Sequence, residues 1–194
     1  MNEPFDVYFS ADVETDGPIP GTYSMLSFGL SVAGRSDGVE FSRADPGAQT
    51  FYRELRPISE QLDRATLEVS GLDRQRLVIE GEAPDLAMTE ASRFVRAAAG
   101  AGTPVLVAYP LAFDWAWLHW YFVTFSVEGS PFGHSNCLDM KTVFALRDGR
   151  PIALSGASKL PERLKSPRPH VHHALADAME QADIFANLIE GGRP

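Results

Sequence analysis

A mixed α/β domain is what the 194-residue chain predicts, and three observations carry that prediction. First, Phe5, Val7, Phe9, Ala11 and Val13 alternate with Asp6, Tyr8, Ser10, Asp12 and Glu14, the period-two pattern of a strand. Second, further short apolar runs occur at residues 23–32, 50–55, 105–109 and 136–138. Third, helix-length segments alternate with the later runs and end at glycines. Three strands followed by helices interleaved with two more imply a mixed sheet of five strands, with helices packed on both faces.

Taken in order, the turn residues Gly17, Pro18, Pro20 and Gly21 separate the first two strands, and two hairpin-like connections make the first three antiparallel. Helices are expected over residues 59–69, ended by Gly71, and 85–99, ended by Gly100. Residues 103–127 are apolar over a length that would span a bilayer, but Pro104, Pro110 and Asp114 oppose that reading. They fit a buried strand that stops at Pro110 and an aromatic helix over residues 113–125. A short helix should follow Asp139. Residues 149–169, rich in Gly, Pro and Ser, read as irregular apart from one helix near 158–164. The last helix is expected over residues 173–190, stopping at Gly191 and Gly192. No repeat or linker interrupts the chain, so residues 1–194 read as one domain.

The single cysteine, Cys137, has no bridge partner and no neighbours at metal-ligand spacing, the usual pattern of a reducing compartment. Residues 1–9 lack a basic stretch followed by an apolar run, so a cytoplasmic location is expected. A net charge of −9 opposes a protein that grips long duplex DNA through many phosphates. It leaves room for a carboxylate site whose charge bound cations offset. Residues 147–168 carry six basic side chains against Asp148 and Glu162, a candidate substrate-contacting segment that a solvated loop explains equally well.

Chemistry is suggested by three short segments. Asp12 and Glu14, at i and i+2 on a strand, point the same way about 7 Å apart and can bracket divalent cations; alone, the pair also fits a solvent-facing strand end. Asp114 follows the 105–109 strand in surroundings so apolar that the acid needs a partner, although a helix-start acid is a common structural feature. His172 and Asp177 flank the start of the last helix. At 100° per residue Asp177 falls at the edge of the apolar arc, whereas Glu180, Asp183, Asn187 and Glu190 gather on a polar face, so Asp183 is expected to be solvated.

Together, Asp12-Val13-Glu14-Thr15-Asp16-Gly17, Ala112-Phe113-Asp114 and His172-His173-Ala174-Leu175-Ala176-Asp177 resemble the three motifs of the DEDDh group of DnaQ-like 3′-to-5′ exonucleases. Ser24 to Gly29 is similar to the family's second strand, and Leu67 to Leu72 to its helix ending in a Gly-hydrophobic pair. The resemblance implies an RNase H-like fold and a 3′-to-5′ exonuclease that releases nucleoside 5′-monophosphates from single-stranded DNA or RNA ends. It implies two Mg²⁺ or Mn²⁺ ions held by Asp12, Glu14, Asp114 and Asp177, with Asp12 bridging, Glu14 and Asp177 on the ion that holds the attacking water, and His172 as general base. An imidazole, with a reference value near 6.5, accepts a proton at neutral pH better than a metal-bound carboxylate does. Thr15, Gly17 and Phe113 are the matching substrate-contact positions.

Two positions depart from the family pattern. Pro110, preceded by Tyr109, stands where relatives carry Asn, often after His, and Ser27 stands where many carry Glu. A catalytically silent binding or polymerase-associated module of the same fold is the competing reading, and all five motif positions are filled against it. The aromatic helix could either enter the core or present Trp117, Trp120 and Tyr121 to a second copy in a homodimer.

Overall fold

The structure, a computed structural model, describes residues 4–191. The expected helix stop at Gly192 and the first three positions of the leader reading lie outside those residues. Strand β1 (Asp6–Thr15) is central: β2 (Met25–Ser36) pairs with it antiparallel, and β5 (Thr103–Ala108) pairs with it parallel on the other side. Strand β6 (Cys137–Asp139) adds parallel to β5. The outer edge of β2 is shared by β3 (Phe41–Arg43) near its end and β4 (Thr50–Glu54) near its start, both antiparallel. The five expected strands are all present. A sixth, β3, is added; three residues are too few to show a period of two.

Helices cover both faces: the apolar residues of β1 fill one core, and Ala33 of β2, Val107 of β5 and Leu138 of β6 supply most of the strand contribution to the other. Val7, Phe9, Ala11 and Val13 pack into a core with α3 (Pro84–Ala99) and α4 (Leu111–Phe125). On the opposite face Tyr8 joins Val107 and Tyr109 against α5 (Met140–Arg147) and α6 (Ala174–Glu190). Asp12 and Glu14 belong to this second face by alternation, so the last helix lies over them. Trp117 and Tyr121 are fully buried, and the Tyr121 hydroxyl accepts the Met25 N–H at 2.7 Å. Those two rings are therefore core, and the possibility that they face a second copy is set aside. No described helix is long and apolar enough to cross a membrane.

The 59–69 helix forms only as α1 (Arg64–Ser70), because Asp63 caps it by accepting the Thr66 N–H; Gly71 ends it in the left-handed conformation. A helix the sequence pattern did not reveal, α2 (Arg74–Glu80), follows at once. It is seven residues long and capped by Asp73, too short for a helical period to show. Within the irregular segment the single expected helix is replaced by three 3₁₀ turns, Ile152–Leu154, Ala157–Lys159 and Glu162–Leu164.

Asp183 corrects the helical-wheel reading. It is buried, not solvated: Arg43 and Arg168 pair with its two oxygens, both at 3.2 Å, and the Ser166 hydroxyl donates to it at 2.9 Å. Strand β3 and the end of the irregular segment close over the polar side of α6, which periodicity along one helix cannot reveal. Asp183→Ala should cost roughly 1 to 3 kcal/mol, lowering Tm by several degrees in a thermal melt. An unchanged Tm would mean that these pairs do not hold the irregular segment on α6.

Candidate active site

Three elements bring the acids together. Asp12 and Glu14 project from the end of β1, and Asp177 from the first turn of α6. The helix reaches this close because Gly29, the register partner of Asp12 on β2, has no side chain: a Cβ there would stand 2.5 Å from the Ala174 carbonyl oxygen and the Leu175 Cα. One carboxylate oxygen each from Asp12, Glu14 and Asp177 lie within 4.8 Å of one another. Asp114, in the first turn of α4, is outside that triangle but near enough for its charge to act on Asp12. The neighbouring cleft, about 210 Å³, is lined by Asp12 to Thr15 on β1, Thr66 and Val69 on α1, Phe113, His170, His172 and Asp177.

The electrostatics follow from burial of like charges. Desolvation pushes the Asp12 carboxyl well above its ordinary range, and Asp114, Glu14 and Asp177 push it further. Glu14 is raised to about 7, first by burial and then by Asp177, with His170 opposing. Burial raises Asp114 to about 8 against the backbone hydrogen bonds of Asp114 and Val13. Among the described residues no lysine or arginine forms an ion pair with any of the four. A cluster of hard oxygens with no lysine or arginine partner among the described residues fits a divalent ion.

These raised values fix the pH dependence of the metal-free protein. Glu14 and Asp114 are each more easily protonated folded than unfolded, so their contribution to stability is fully present below the unfolded value near 4 and is lost as pH rises through about 7 to 8. Melts in EDTA should show Tm falling between pH 5 and 8, and Glu14→Gln should flatten that fall. A Tm that rises across this window would contradict the burial of these charges.

Asp177 also shapes the loop before it. Its two oxygens accept the Val171 N–H at 2.9 Å and the His173 N–H at 3.2 Å. The residue between them, His172, takes φ 53°, a left-handed conformation costly for a residue with a side chain. His172 lines the cleft. His173 does something else: its Nδ1 accepts the Ala176 N–H as the helix cap, and its ring stacks on Tyr52 at 4.7 Å.

The other expected contact positions divide. Thr15 and Phe113 line the cleft, with Phe113 exposed. Gly17 does not, and a Cβ there would collide with the Tyr23 ring. Asp16 is fully buried away from the cluster, where it accepts the Ser24 N–H and pairs with Arg74 at 2.7 Å. In the basic segment, Arg168 is committed to Asp183 and Lys165 to Glu162.

Gln181 was not singled out by the sequence. Its Oε1 accepts the Tyr109 N–H at 2.7 Å, which leaves Nε2 to donate to Asp12 Oδ1 at 2.9 Å. One signal could have found it: Gln181 lies four residues after Asp177, on the same helix face.

The family description "3′-5′ exoribonuclease Rv2179c-like domain" matches residues 38–189. The chain belongs to the Rv2179c-like 3′–5′ exoribonuclease family. Its activity class is that of a 3′-to-5′ exonuclease on nucleic acid. A curated relative of this exonuclease chain, the 3′-5′ DNA exonuclease Cap18 of Escherichia coli, is 34% identical over 93% of this chain and 90% of its own length. Among solved structures, the nuclease domain of 3′hExo, a DEDDh family member bound to rAMP, matches 97% of this chain and 92% of its own with a TM-score of 0.68 at 12% identity. E. coli exonuclease I in complex with a dT13 oligonucleotide matches with a TM-score of 0.65 at 16% identity, over 98% of this chain and 42% of its own. A 3′-exonuclease solved in recognition of a histone mRNA stem-loop has a TM-score of 0.67 at 13% identity, and this chain spans 64% of it. These likenesses bear out the RNase H-like fold.

Proposed function

We propose that this exonuclease is divalent-metal-dependent, acts on single-stranded 3′ ends, and releases nucleoside 5′-monophosphates. The observation that carries the reading is the approach of Asp12, Glu14 and Asp177 to within 4.8 Å without a lysine or arginine partner among the described residues. Two Mg²⁺ or Mn²⁺ ions held by these acids and Asp114 would supply Lewis-acid activation of a water and stabilise the leaving 3′ oxygen. Asp12 would serve as a ligand to both ions, and Glu14 and Asp177 as ligands to the one that holds the attacking water. His172, on the cleft wall, accepts the proton of the attacking water. Thr15 and Phe113 bound the space for the terminal nucleotide.

The family description names RNA, whereas the curated relative that covers more of the chain is named for DNA, so DNA is the first substrate to try. The test is side-by-side degradation of matched, 5′-labelled single-stranded DNA and RNA with Mg²⁺, Mn²⁺ or EDTA. A ladder that shortens from the 3′ end, requires metal and yields 5′-monophosphates is expected. An internal cut, or an unchanged strand with all metals, overturns the proposal.

Gln181 acts in this scheme as a positioning residue that fixes the Asp12 carboxylate. Gln181→Met should lower the rate about 10- to 100-fold and raise the Mg²⁺ concentration for half-activation, while KM for the oligonucleotide changes little. A rate that falls only in step with Tm, with unchanged Mg²⁺ dependence, would assign it a purely structural role.

A further inference from the structure

The loop before α6 brings together donors of a different chemistry. His170, His172 and Asp177 each place one ligand atom within 4.8 Å of the others. His170 Nδ1 is 3.5 Å from Asp177 Oδ2, close to the edge of a tetrahedron with bonds of about 2.1 Å. The two imidazoles meet edge to face at 4.8 Å, and Glu180 Oε2, 2.9 Å from His170 Nδ1, is within reach as a further oxygen ligand. Both histidines are exposed, so their rings can turn onto an ion, while buried Asp177 is held by two backbone N–H groups.

We propose that His170, His172 and Asp177 form a second metal site, selective for Zn²⁺-class ions, that shares Asp177 with the carboxylate cluster and stops turnover when filled. Imidazole nitrogen favours zinc and its neighbours, whereas Mg²⁺ demands oxygen and sheds water reluctantly, so two ion classes compete for one carboxylate. An ion on the histidine side takes Asp177 from one function and His172 from another. The inhibitory half rests on the roles proposed above for those residues; the binding half does not.

The test measures Zn²⁺ binding by equilibrium dialysis, and the visible spectrum of Co²⁺ as a zinc substitute, at pH 7.5 in millimolar Mg²⁺. One equivalent of Zn²⁺ should bind, Co²⁺ should give the intense bands of a four-coordinate site, and His170→Ala should weaken binding at least about tenfold. Glu14→Gln should keep the Zn²⁺ site. Equal Zn²⁺ affinity in His170→Ala, or its loss in Glu14→Gln, would overturn the proposal and place the ion in the carboxylate cluster. In the degradation assay, Zn²⁺ should inhibit the parent at lower concentration than it inhibits His170→Ala, each measured against its own zinc-free rate. Binding without inhibition overturns the inhibitory half. Absence of any exonuclease activity would count against the proposed function, and the dialysis and spectra would still decide whether the site exists.

Discussion

Alanine at Asp12, Glu14 or Asp177 is expected to abolish metal-supported release of terminal nucleotides. Each substitution removes one corner of the oxygen triangle, and the two remaining carboxylates cannot hold a pair of divalent ions in place. The three variants should differ in stability. Glu14→Ala removes a buried charge raised by desolvation and by Asp177, so at pH 8 the metal-free variant should melt at or above the parent's Tm, whereas Asp12→Ala removes a like charge but leaves Gln181 Nε2 without its acceptor. Asp177→Ala also strips the Val171 and His173 N–H groups of their acceptor, and it should gain nothing. The experiment pairs a melt in EDTA with single-turnover degradation at saturating Mg²⁺. Full turnover of the parent in EDTA, or of Glu14→Ala with metal, would refute the two-ion scheme.

His172→Ala is expected to lose roughly 10² to 10⁴ in rate while retaining Mg²⁺ binding, because it removes the proposed base and leaves every oxygen ligand. His173→Ala is the internal control. Its ring caps α6 and stacks on Tyr52, so its loss should cost about 1 kcal/mol of stability and only a small fraction of the rate. Single-turnover degradation by both variants, beside their melts, separates the two histidines. An inactive His173→Ala beside an active His172→Ala would show that the base is the cap residue; two active variants would place the base elsewhere.

The sequence by itself determined those features that repeat along one element. Alternation in β1 placed Asp12 and Glu14 together and opposite the Val7 to Val13 face, and helical phase in α6 turned Asp177 inward. Gly71 and Gly100 marked helix ends because few other residues accept the positive φ that both caps adopt. Tertiary structure alone decided what covers an element's polar side. Asp183 and Glu180 read alike on a wheel, yet Asp183 is buried because Arg43, 140 positions earlier, and Arg168 fold onto it. Gln181 reads as a polar helix residue until the end of β5 brings the Tyr109 N–H to one side of it and β1 brings Asp12 to the other. The closeness of Asp177 to Asp12 depends on the bare backbone of Gly29, which reads in sequence as any strand glycine. Periodicity reports the preference of a face for water or oil; ion pairs and close backbone approaches are made between segments distant along the chain, and they exist only once the sheet has brought those segments together.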